Sequence, residues 1–361
     1  LSKFYNGSAP HAYSVLNDWN QGNALVQQQF KDALAYWLSA YKVDGFRFDL
    51  VKGLGDNDSY GNTYNPSTNT WGTPTDNGTN RYNATRVARM EELHDAMRAI
   101  TPSAYFINED LATPQEENEM AADGEINWAN INESSCQFAM GYESDASLNR
   151  FYAPLDSRTW GSTVSYAESH DEERMAYKQN RWGADGVKGN EEMSMRRLGS
   201  VAAQMLLAPG AHMIWQFQEF GADQTTKNNS GNDTSPKRVI WSYLDKPAHA
   251  ALCQSYRDLL GIRREYPHMF REDVTASVNL GGWSAGRTLT LSRDGGSQTI
   301  ILVVNPQVSG SAQVPVSADL TGARLLAASA GVTPTLSANS VTLPAGSFAV
   351  YGSRGLLSSL D

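Results

Sequence analysis

The sequence predicts an α/β protein with a parallel sheet, followed by a smaller antiparallel β domain and a short tail. Strand-like and helix-like segments alternate between residues 23 and 264, which is typical of parallel βαβ units. Beyond residue 270 the segments are all strand-like, with turn residues between them. Acidic residues end three of the predicted strands, at the edge where α/β proteins place their chemistry.

The α/β part opens with an amphipathic helix at 23–42, because its apolar residues recur with helical spacing. A strand at 44–51 follows at once. Residues 53–82 are rich in Asn, Thr, Gly and Asp, which predicts a long loop. A second helix is expected at 83–100, where a Thr-Pro pair ends it.

The same criteria assign the rest of the chain. Further strands are predicted at 104–109, 126–131, 162–171 and 211–221, and further helices near 145–153, at 193–207 and at 247–264. The predicted domains are 1–269 for the α/β part, 270–353 for an antiparallel β-sandwich and 354–361 for the tail.

The composition of the chain argues against several kinds of binding partner. The formal net charge of −10 argues against nucleic acid and against anionic membrane surfaces, and no apolar stretch has membrane-spanning length. Cys136 and Cys253 fit no metal-binding spacing and form no disulfide framework. The chain opens at Leu1 rather than Met, so we expect residues upstream of it; localisation stays open, with a secreted or cell-surface protein favoured.

The stretch VDGFRFDLVKG carries Arg47 and Asp49 inside a predicted strand. Side chains two apart share a face, so Arg47 and Asp49 point one way while Phe46 and Phe48 point the other. Buried charges are costly unless they are paired or used. The pattern predicts either a structural ion pair or a functional pair at the strand's C-terminal end.

Three predicted strands end in acids, namely Asp49, Glu109 and Asp171, and His170 lies beside the last of them. Acids at the C-terminal ends of barrel strands project into the loop face. Such a set suits glycoside hydrolysis, which needs one carboxylate nucleophile and one protonated carboxyl group. Each acid alone could instead cap the helix that follows it.

The stretches DGFRFDLVKG, FINEDL and ESHDEER resemble, in order and spacing, three signature regions of the α-amylase family of glycoside hydrolases. LNDWN (16–20) resembles a fourth region, LAPGAHMIWQFQEFG resembles the last-strand region, and the terminal β domain resembles the family's C-terminal domain. The resemblance covers nearly the whole chain. It implies a (β/α)8 (TIM) barrel of which strands 4–8 are present. It also implies retaining, double-displacement cleavage of α-1,4-glucosidic bonds in starch-type glucans.

The resemblance implies a role for each matching residue. Asp49 matches the nucleophile, Glu109 the general acid/base, and Asp171 the second aspartate, which binds sugar hydroxyls and favours the distorted sugar. Arg47 matches the arginine that keeps the nucleophile ionised, and His170 matches the histidine that binds the scissile sugar. His170 could otherwise be a buried residue bonded to backbone.

The burial of a side chain and the face of the strand from which it points are expected to distinguish these residues from their neighbours. Arg47 and Asp49 should be buried, because a nucleophile is best ionised yet poorly hydrated. Asp110 should point away from Glu109 unless the strand has ended. His170 and Asp171 are adjacent, so the strand must end or twist there if both reach substrate.

Four further residues are candidates for substrate binding. Lys52 resembles a binder on the leaving-group side, although a solvated surface lysine fits its position as well. Tyr60, Tyr64 and Trp71 lie in the loop 53–82. They could stack on sugar rings or only pack the loop.

A structural Ca²⁺ is the cofactor that the resemblance implies. Gly53 stands where the family usually has a histidine, whose backbone carbonyl ligates Ca²⁺ in many members, and Gly53 could still ligate in that way. Asp18 lies where the family has a calcium carboxylate, although it could simply be the turn residue before a helix.

The predicted strands number five, whereas a (β/α)8 barrel needs eight. The family's first signature region, on the third strand, has no match, and neither have strands one to three. We therefore expect the C-terminal part of a longer polypeptide, in which an N-terminal segment completes the barrel. The isolated chain should be a poor catalyst.

Two alternatives remain open for function. An α-1,6-active debranching or branching enzyme, or a glucanotransferase of the same family, would use the same acids. A catalytically incomplete glucan-binding fragment would bind the same α-glucan or oligosaccharide without turnover. Product analysis separates these alternatives.

Overall fold

The computed structural model describes residues 4–13, 18–228 and 236–358. Residues 16–17 of the LNDWN motif and residues 359–361 of the predicted tail lie outside this part of the chain. No helix within the described part is long and apolar enough to cross a membrane.

The chain divides into two compact units. The first comprises residues 1–129 and 157–164, and the second comprises residues 130–156 and 165–361. The predicted domain boundary at residue 270 falls inside the second unit and stays a prediction.

The elements up to the first unit boundary include the predicted helices and strands together with several short elements that were not predicted. In chain order they are α1 (Ala24–Tyr36), β1 (Gly45–Phe48), β2 (Tyr64–Asn65), β3 (Thr70–Trp71), α2 (Asp76–Asn80), α3 (Ala84–Arg98), β4 (Tyr105–Asn108), α4 (Pro114–Ala122) and β5 (Ile126–Asn130). Strand β1 pairs in parallel with β4, and β4 pairs in parallel with β5.

The first unit has a core of aliphatic and aromatic side chains from α1, α3, β1 and β4. The rings of Phe48 and Phe106 stack across the two strands with centroids 4.2 Å apart. Gly45 lets the strands approach, because a Cβ there would lie 2.2 Å from the carbonyl oxygen of Tyr105. Phe48 is buried and Phe46 partly buried, so the phenylalanine face of β1 packs against the core as the alternation predicts.

Two predictions in the first unit need correction. The helix expected at 23–42 is α-helical only to Tyr36 and ends in a π-helical turn, Trp37–Tyr41, after which Lys42 has a left-handed φ of 55°. The loop expected at 53–82 contains the β2–β3 hairpin and the short helix α2. These elements are too short for side-chain periodicity to reveal them.

The next elements are α5 (Asn132–Met140), β6 (Thr163–Tyr166), α6 (Met175–Trp182), α7 (Glu191–Leu206), β7 (Ala211–Met213) and α8 (Pro247–Glu265). The parallel sheet has the strand order β1-β4-β5-β6-β7, with β1 and β7 as its terminal strands. Five parallel strands with intervening helices form a partial (β/α)8 barrel, as predicted.

Several boundaries in this region differ from the prediction. The strands expected at 162–171 and 211–221 end at Tyr166 and Met213. The helix expected near 145–153 is replaced by two 3-10 turns, whereas α4, α5 and α6 were not predicted. The sequence of α5, NESSCQFAM, contains several residues of low helix propensity, so packing rather than propensity sets this helix.

The chain from β8 onward is antiparallel. Its strands are β8 (Thr275–Asn279), β9 (Arg287–Arg293), β10 (Gln298–Val304), β11 (Ser311–Pro315), β12 (Arg324–Ala328), β13 (Thr335–Ser337), β14 (Ser340–Pro344) and β15 (Phe348–Gly352). The sheets β12-β15-β10-β9-β8 and β11-β14-β13 enclose an apolar core, which makes a β-sandwich as predicted. A short helix, α9 (Arg354–Leu357), follows in the tail.

Candidate active site

The end of β1 presents Arg47 and Asp49. The strand stops at Phe48, and Leu50 has a left-handed φ of 47°, so Asp49 lies on the turn that follows the strand. The Asp49 side chain is 74% exposed and that of Arg47 is 22% exposed. The expected burial of Asp49 is therefore wrong, because the strand ends one residue too early to enclose it.

The guanidinium of Arg47 joins two of the predicted catalytic carboxylates. Its Nη1 donates to Oδ1 of Asp49, and its Nη2 lies 3.0 Å from Oε2 of Glu109. The same guanidinium lies over the indole ring of Trp128, 4.0 Å from the ring centroid. The contact with Asp49 is a hydrogen bond, whereas the contact with Glu109 is one of charge, since Nη2 has no hydrogen-bond partner among the described residues. A planar guanidinium can lie close to two carboxylates at once, which a lysine ammonium does less well.

Glu109 is held by both its backbone and its side chain. Its amide donates to the carbonyl of Phe48 at 3.0 Å, and its carbonyl accepts from the amide of Val51 at 3.1 Å. Its Oε2 accepts from the amide of Leu50 at 2.8 Å. These contacts fix the Glu109 carboxylate against the turn that carries Asp49.

Asp110 pairs elsewhere, and since β4 ends at Asn108, strand alternation does not set its direction. It is buried, with Oδ1 3.5 Å from Nε of Arg86, which also pairs with Glu116. Burial raises the pKa of Asp110 to about 8, with the nearby charge of Glu116 adding to the effect. Asp110 and Arg86 therefore form a structural cluster behind the candidate site.

Lys52 lies on the 3-10 turn after Asp49, and its ammonium faces the ring of Tyr13 at 5.3 Å. Burial lowers the pKa of Lys52. Its carbonyl accepts hydrogen bonds from Arg86 at 3.0 Å and from the Tyr60 hydroxyl at 2.9 Å. The hydrogen bonds from Arg86 and Tyr60 thus hold the backbone of the turn that carries Lys52.

The three loop aromatics divide into two groups. Tyr60 is only 2% exposed, and its hydroxyl also accepts from the amide of Gly55, so it packs the loop and cannot stack on a sugar. Tyr64 and Trp71 pair across the β2–β3 hairpin with ring centroids 5.0 Å apart. Tyr64 is exposed and Trp71 is half-buried, so both remain candidates for sugar contact.

The predicted calcium ligands Asp18 and Gly53 lie on either side of His11. Nε2 of His11 is 3.1 Å from Oδ1 of Asp18 and 2.8 Å from the point where a Gly53 Cβ would lie. The other oxygen of Asp18 accepts from Nδ2 of Asn6 at 2.6 Å. Both Asp18 oxygens have protein donors here, which does not fit a calcium ligand without rearrangement of His11.

His170 and Asp171 lie in the second unit, on the loop after β6. Nε2 of His170 is 3.2 Å from Oδ2 of Asp171, and both side chains are exposed. Strand β6 ends at Tyr166, before either residue. Their side chains are therefore not forced onto opposite faces of a strand, which is what both would need in order to reach the substrate. His170 is not buried, so the alternative of a core histidine is wrong.

A buried ion pair joins the two ends of this loop, Glu168 and Arg174. Oε2 of Glu168 lies 2.7 Å from Nη1 of Arg174, and Oε1 accepts from the amide of Met175 at 2.8 Å. Arg174 also donates to the carbonyl of Gln216 at 2.7 Å. Burial raises the pKa of Glu168, while Arg174 opposes that shift. His170 and Asp171 are therefore presented between two paired residues.

Two more acids of the same motif tie the loop to its surroundings. Glu172 accepts from Ser169 and from Asn130. Glu173 accepts from the amide of Thr226 at 2.9 Å and from the hydroxyl of Thr225 at 2.6 Å. The residues that orient the loop were missed by the sequence reasoning, although the motif ESHDEER shows them as charges flanking His170 and Asp171.

Among the described residues, one cluster outside these sites holds three groups able to ligate a metal. Donor atoms of His94, Asp123 and Glu125 lie within 4.8 Å of one another. Nδ1 of His94 is 2.9 Å from Asp123, which Arg98 also contacts, and Asn108 donates to Glu125. His94 is 29 residues from Asp123 in sequence, so no short motif joins the three groups of this cluster.

Comparison with known proteins shows what the chain is similar to. The family model of the alpha amylase catalytic domain matches residues 10–248. A 1,4-alpha-glucan branching enzyme of Pseudoalteromonas atlantica is 23% identical over 269 residues, which cover 71% of this chain and 34% of the enzyme. The chain thus spans about a third of the length of that curated relative.

Solved structures show the same fold. Amy13B of Eubacterium rectale matches with a TM-score of 0.66 at 16% identity, over 98% of this chain and 71% of that one. A pullulanase of Anoxybacillus sp. LM18-11, complexed with maltotetraose, matches with a TM-score of 0.64 at 18% identity, over 95% of this chain and 48% of that one. Since the family model of the alpha amylase catalytic domain spans most of the chain, the chain belongs to the α-amylase family.

Proposed function

We propose that the chain is the catalytic part of a retaining glycoside hydrolase that cleaves α-1,4-glucosidic bonds in starch-type glucans. The observation that carries this proposal is the single guanidinium of Arg47, which contacts both Asp49 and Glu109. Retaining enzymes need their two carboxyl groups roughly 5–5.5 Å apart, and a shared guanidinium agrees with such a close pair.

In the proposed reaction the Asp49 carboxylate attacks the anomeric carbon while Glu109 gives its proton to the leaving glycosidic oxygen. The bond to the leaving sugar breaks as the Asp49 ester forms. Glu109, now ionised, takes a proton from water, and the resulting hydroxide displaces Asp49 from the sugar. Asp171 and His170 are proposed to bind sugar hydroxyls of the substrate.

The direct test is product analysis on defined maltooligosaccharides, with Asp49→Asn and Glu109→Gln as controls. Release of shorter maltooligosaccharides that both substitutions abolish would support the proposal. Glucan binding without product release would instead indicate a catalytically incomplete binding fragment.

A second candidate function is α-1,6 cleavage or glucanosyl transfer. The proteins similar to this chain include a branching enzyme and a pullulanase, and this similarity favours the second candidate. Parallel digestion of amylose and pullulan separates the two candidates. Cleavage of pullulan alone, or new branch points in amylose, would favour the second.

We also propose that a further segment pairs with β1 and completes the barrel. Among the described residues, β1 pairs on one side only, with β4. An unpaired parallel edge invites pairing with another strand. A longer polypeptide with additional upstream sequence should therefore be a better catalyst than the 361-residue chain.

Calcium binding by Asp18 and Gly53 remains a proposal. It would require Asp18 to exchange its contact with His11 for the ion. Thermal melting with calcium and with EDTA tests it on the intact protein. A calcium-dependent rise in Tm that Asp18→Asn removes would support the site, whereas no shift would count against it.

A further inference from the structure

An open cavity of about 620 Å³ lies beside the loop that carries Asp171. Asp171, Glu172 and Asn132 line it with polar groups, and Tyr177 and Trp182 line it with aromatic rings. Ligand pockets have volumes of about 300–1,000 Å³ and combine aromatic walls with a few polar groups. The cavity thus has the size and lining of a small-molecule site.

Trp182 is the last residue of α6, and it is 52% exposed. Its ring meets that of Tyr177 edge-on, with centroids 6.0 Å apart and an interplanar angle of 82°. An indole that is half exposed keeps part of its surface open for contact with a ligand.

The backbone around Trp182 is fixed although the ring is exposed. The hydroxyl of Tyr142 donates to the Trp182 carbonyl at 2.8 Å, and the amide of Gly183 donates to the Gln179 carbonyl at 2.9 Å. A Cβ at Gly183 would lie 2.5 Å from that same Gln179 oxygen, so the chain must leave the helix tightly. The backbone that carries the indole is therefore fixed, so binding to the ring need not order this part of the main chain.

The charges around the cavity favour a neutral, polyhydroxylated ligand. Its lining includes the acids Asp171, Glu172 and Glu173 and the amines Lys178 and Lys227, so neither sign dominates. A pyranose ring offers an apolar C–H face to an indole and offers hydroxyls to carboxylates and amides. The mixed lining matches both parts of such a ring.

We propose that Trp182 is the aromatic platform of a glucosyl subsite in the cavity that Asp171 also lines. The inference rests on the proposed function, which assigns Asp171 to the substrate. Trp182 binds a sugar unit away from the bond that is cleaved, and it makes affinity increase with glucan chain length.

The test measures the Kd of maltose and of maltoheptaose by calorimetry, with the 361-residue chain carrying Asp49→Asn to prevent turnover. Trp182→Ala should weaken maltoheptaose binding roughly five- to tenfold, which is the range of one aromatic contact. Its effect on maltose should be smaller, and Trp182→Phe should retain most of the affinity. Trp37→Ala, which removes a comparably exposed indole on the turn after α1, should change neither Kd.

Unchanged maltoheptaose affinity in Trp182→Ala, or an equal loss in Trp37→Ala, would overturn the subsite while leaving the proposed function intact. If the reference protein binds no maltooligosaccharide, the proposed function itself fails, and the subsite fails with it. Thermal melting of each variant checks that the fold is retained.

Discussion

Arg47 contacts both candidate catalytic carboxylates, Asp49 and Glu109. Its substitution should therefore lower the rate of turnover more than it weakens substrate binding. We expect Arg47→Met to lower kcat about 100-fold with a smaller change in KM, the range found when a preorganised donor is removed from an active site. Arg47→Lys should recover part of the loss, because an ammonium cannot reach both carboxylates with a fork of donors.

The measurement is steady-state kinetics on an aryl α-maltoside with each variant. An unchanged kcat in Arg47→Met would mean that the contacts to Asp49 and Glu109 are only structural.

Glu125 makes stability depend on pH. Burial raises its pKa from 4.5 to about 8, with opposition from the Asn108 hydrogen bond. Between these values the folded state keeps a proton that the unfolded state releases, so the free energy of unfolding falls as pH rises from about 4.5 to about 8. Glu125→Gln carries no titrating proton and should be more stable than the wild type at pH 8 by ~2–4 kcal/mol.

Urea unfolding at pH 5 and pH 8 tests this prediction. Glu133→Gln, at an exposed position, is the control and should follow the wild type at both pH values. If the wild type loses no stability relative to Glu125→Gln between pH 5 and pH 8, the raised pKa of Glu125 is contradicted.

Side-chain alternation predicted the pairing of Arg47 with Asp49, but it did not predict the contact of Arg47 with Glu109. Asp110 pairs with Arg86 instead. The exposure of Asp49 was not predictable, because it depends on the left-handed turn at Leu50, a residue type that seldom adopts this conformation. The structural role of Tyr60 depends on hydrogen bonds across the loop, which no local pattern encodes.

At the scale of elements, the loop from Glu168 to Arg174 depends on its buried ion pair. Arg174→Met would leave the Glu168 carboxylate buried without its partner, which costs ~3–5 kcal/mol. The double substitution Glu168→Gln with Arg174→Met should recover part of this stability, since no uncompensated charge remains.

Urea unfolding of these variants measures the effect. Arg196→Met removes a pair with the exposed Glu192 on α7 and should cost only about 0.5 kcal/mol. An Arg174→Met cost as small as that of the control would show that the ion pair does not hold the loop.

The same loop shows where sequence reasoning about elements stops. The first four residues of the motif ESHDEER were predicted to lie in the strand at 162–171, because branched and aromatic residues before them favour a strand, but the strand ends at Tyr166. The loop itself is set by Glu168, Glu172 and Glu173, each bonded to a different segment. Long amphipathic helices such as α3, α7 and α8 were predicted nearly to their ends, because tertiary packing and periodicity agree there.

At the scale of the whole molecule, the five parallel strands predict a dependence on additional sequence. A longer polypeptide that supplies a strand beside β1 should have a higher kcat/KM on maltooligosaccharides than the 361-residue chain. The barrel's loop face is completed only when all eight strands are present. Equal kcat/KM values for the two polypeptides would contradict the proposal that a further segment completes the site.

The central claim is that Asp49 is the nucleophile of a retaining reaction. The most direct measurement is covalent trapping with a 5-fluoro-α-glycosyl fluoride, followed by peptide mapping by mass spectrometry. Its fluoride leaves without help from Glu109, so a single turnover is enough to label the protein. We predict one sugar adduct on the peptide that contains Asp49, and none in Asp49→Asn. An adduct on Glu109 or Asp171 instead, or cleavage that first releases the inverted anomer, would contradict the account.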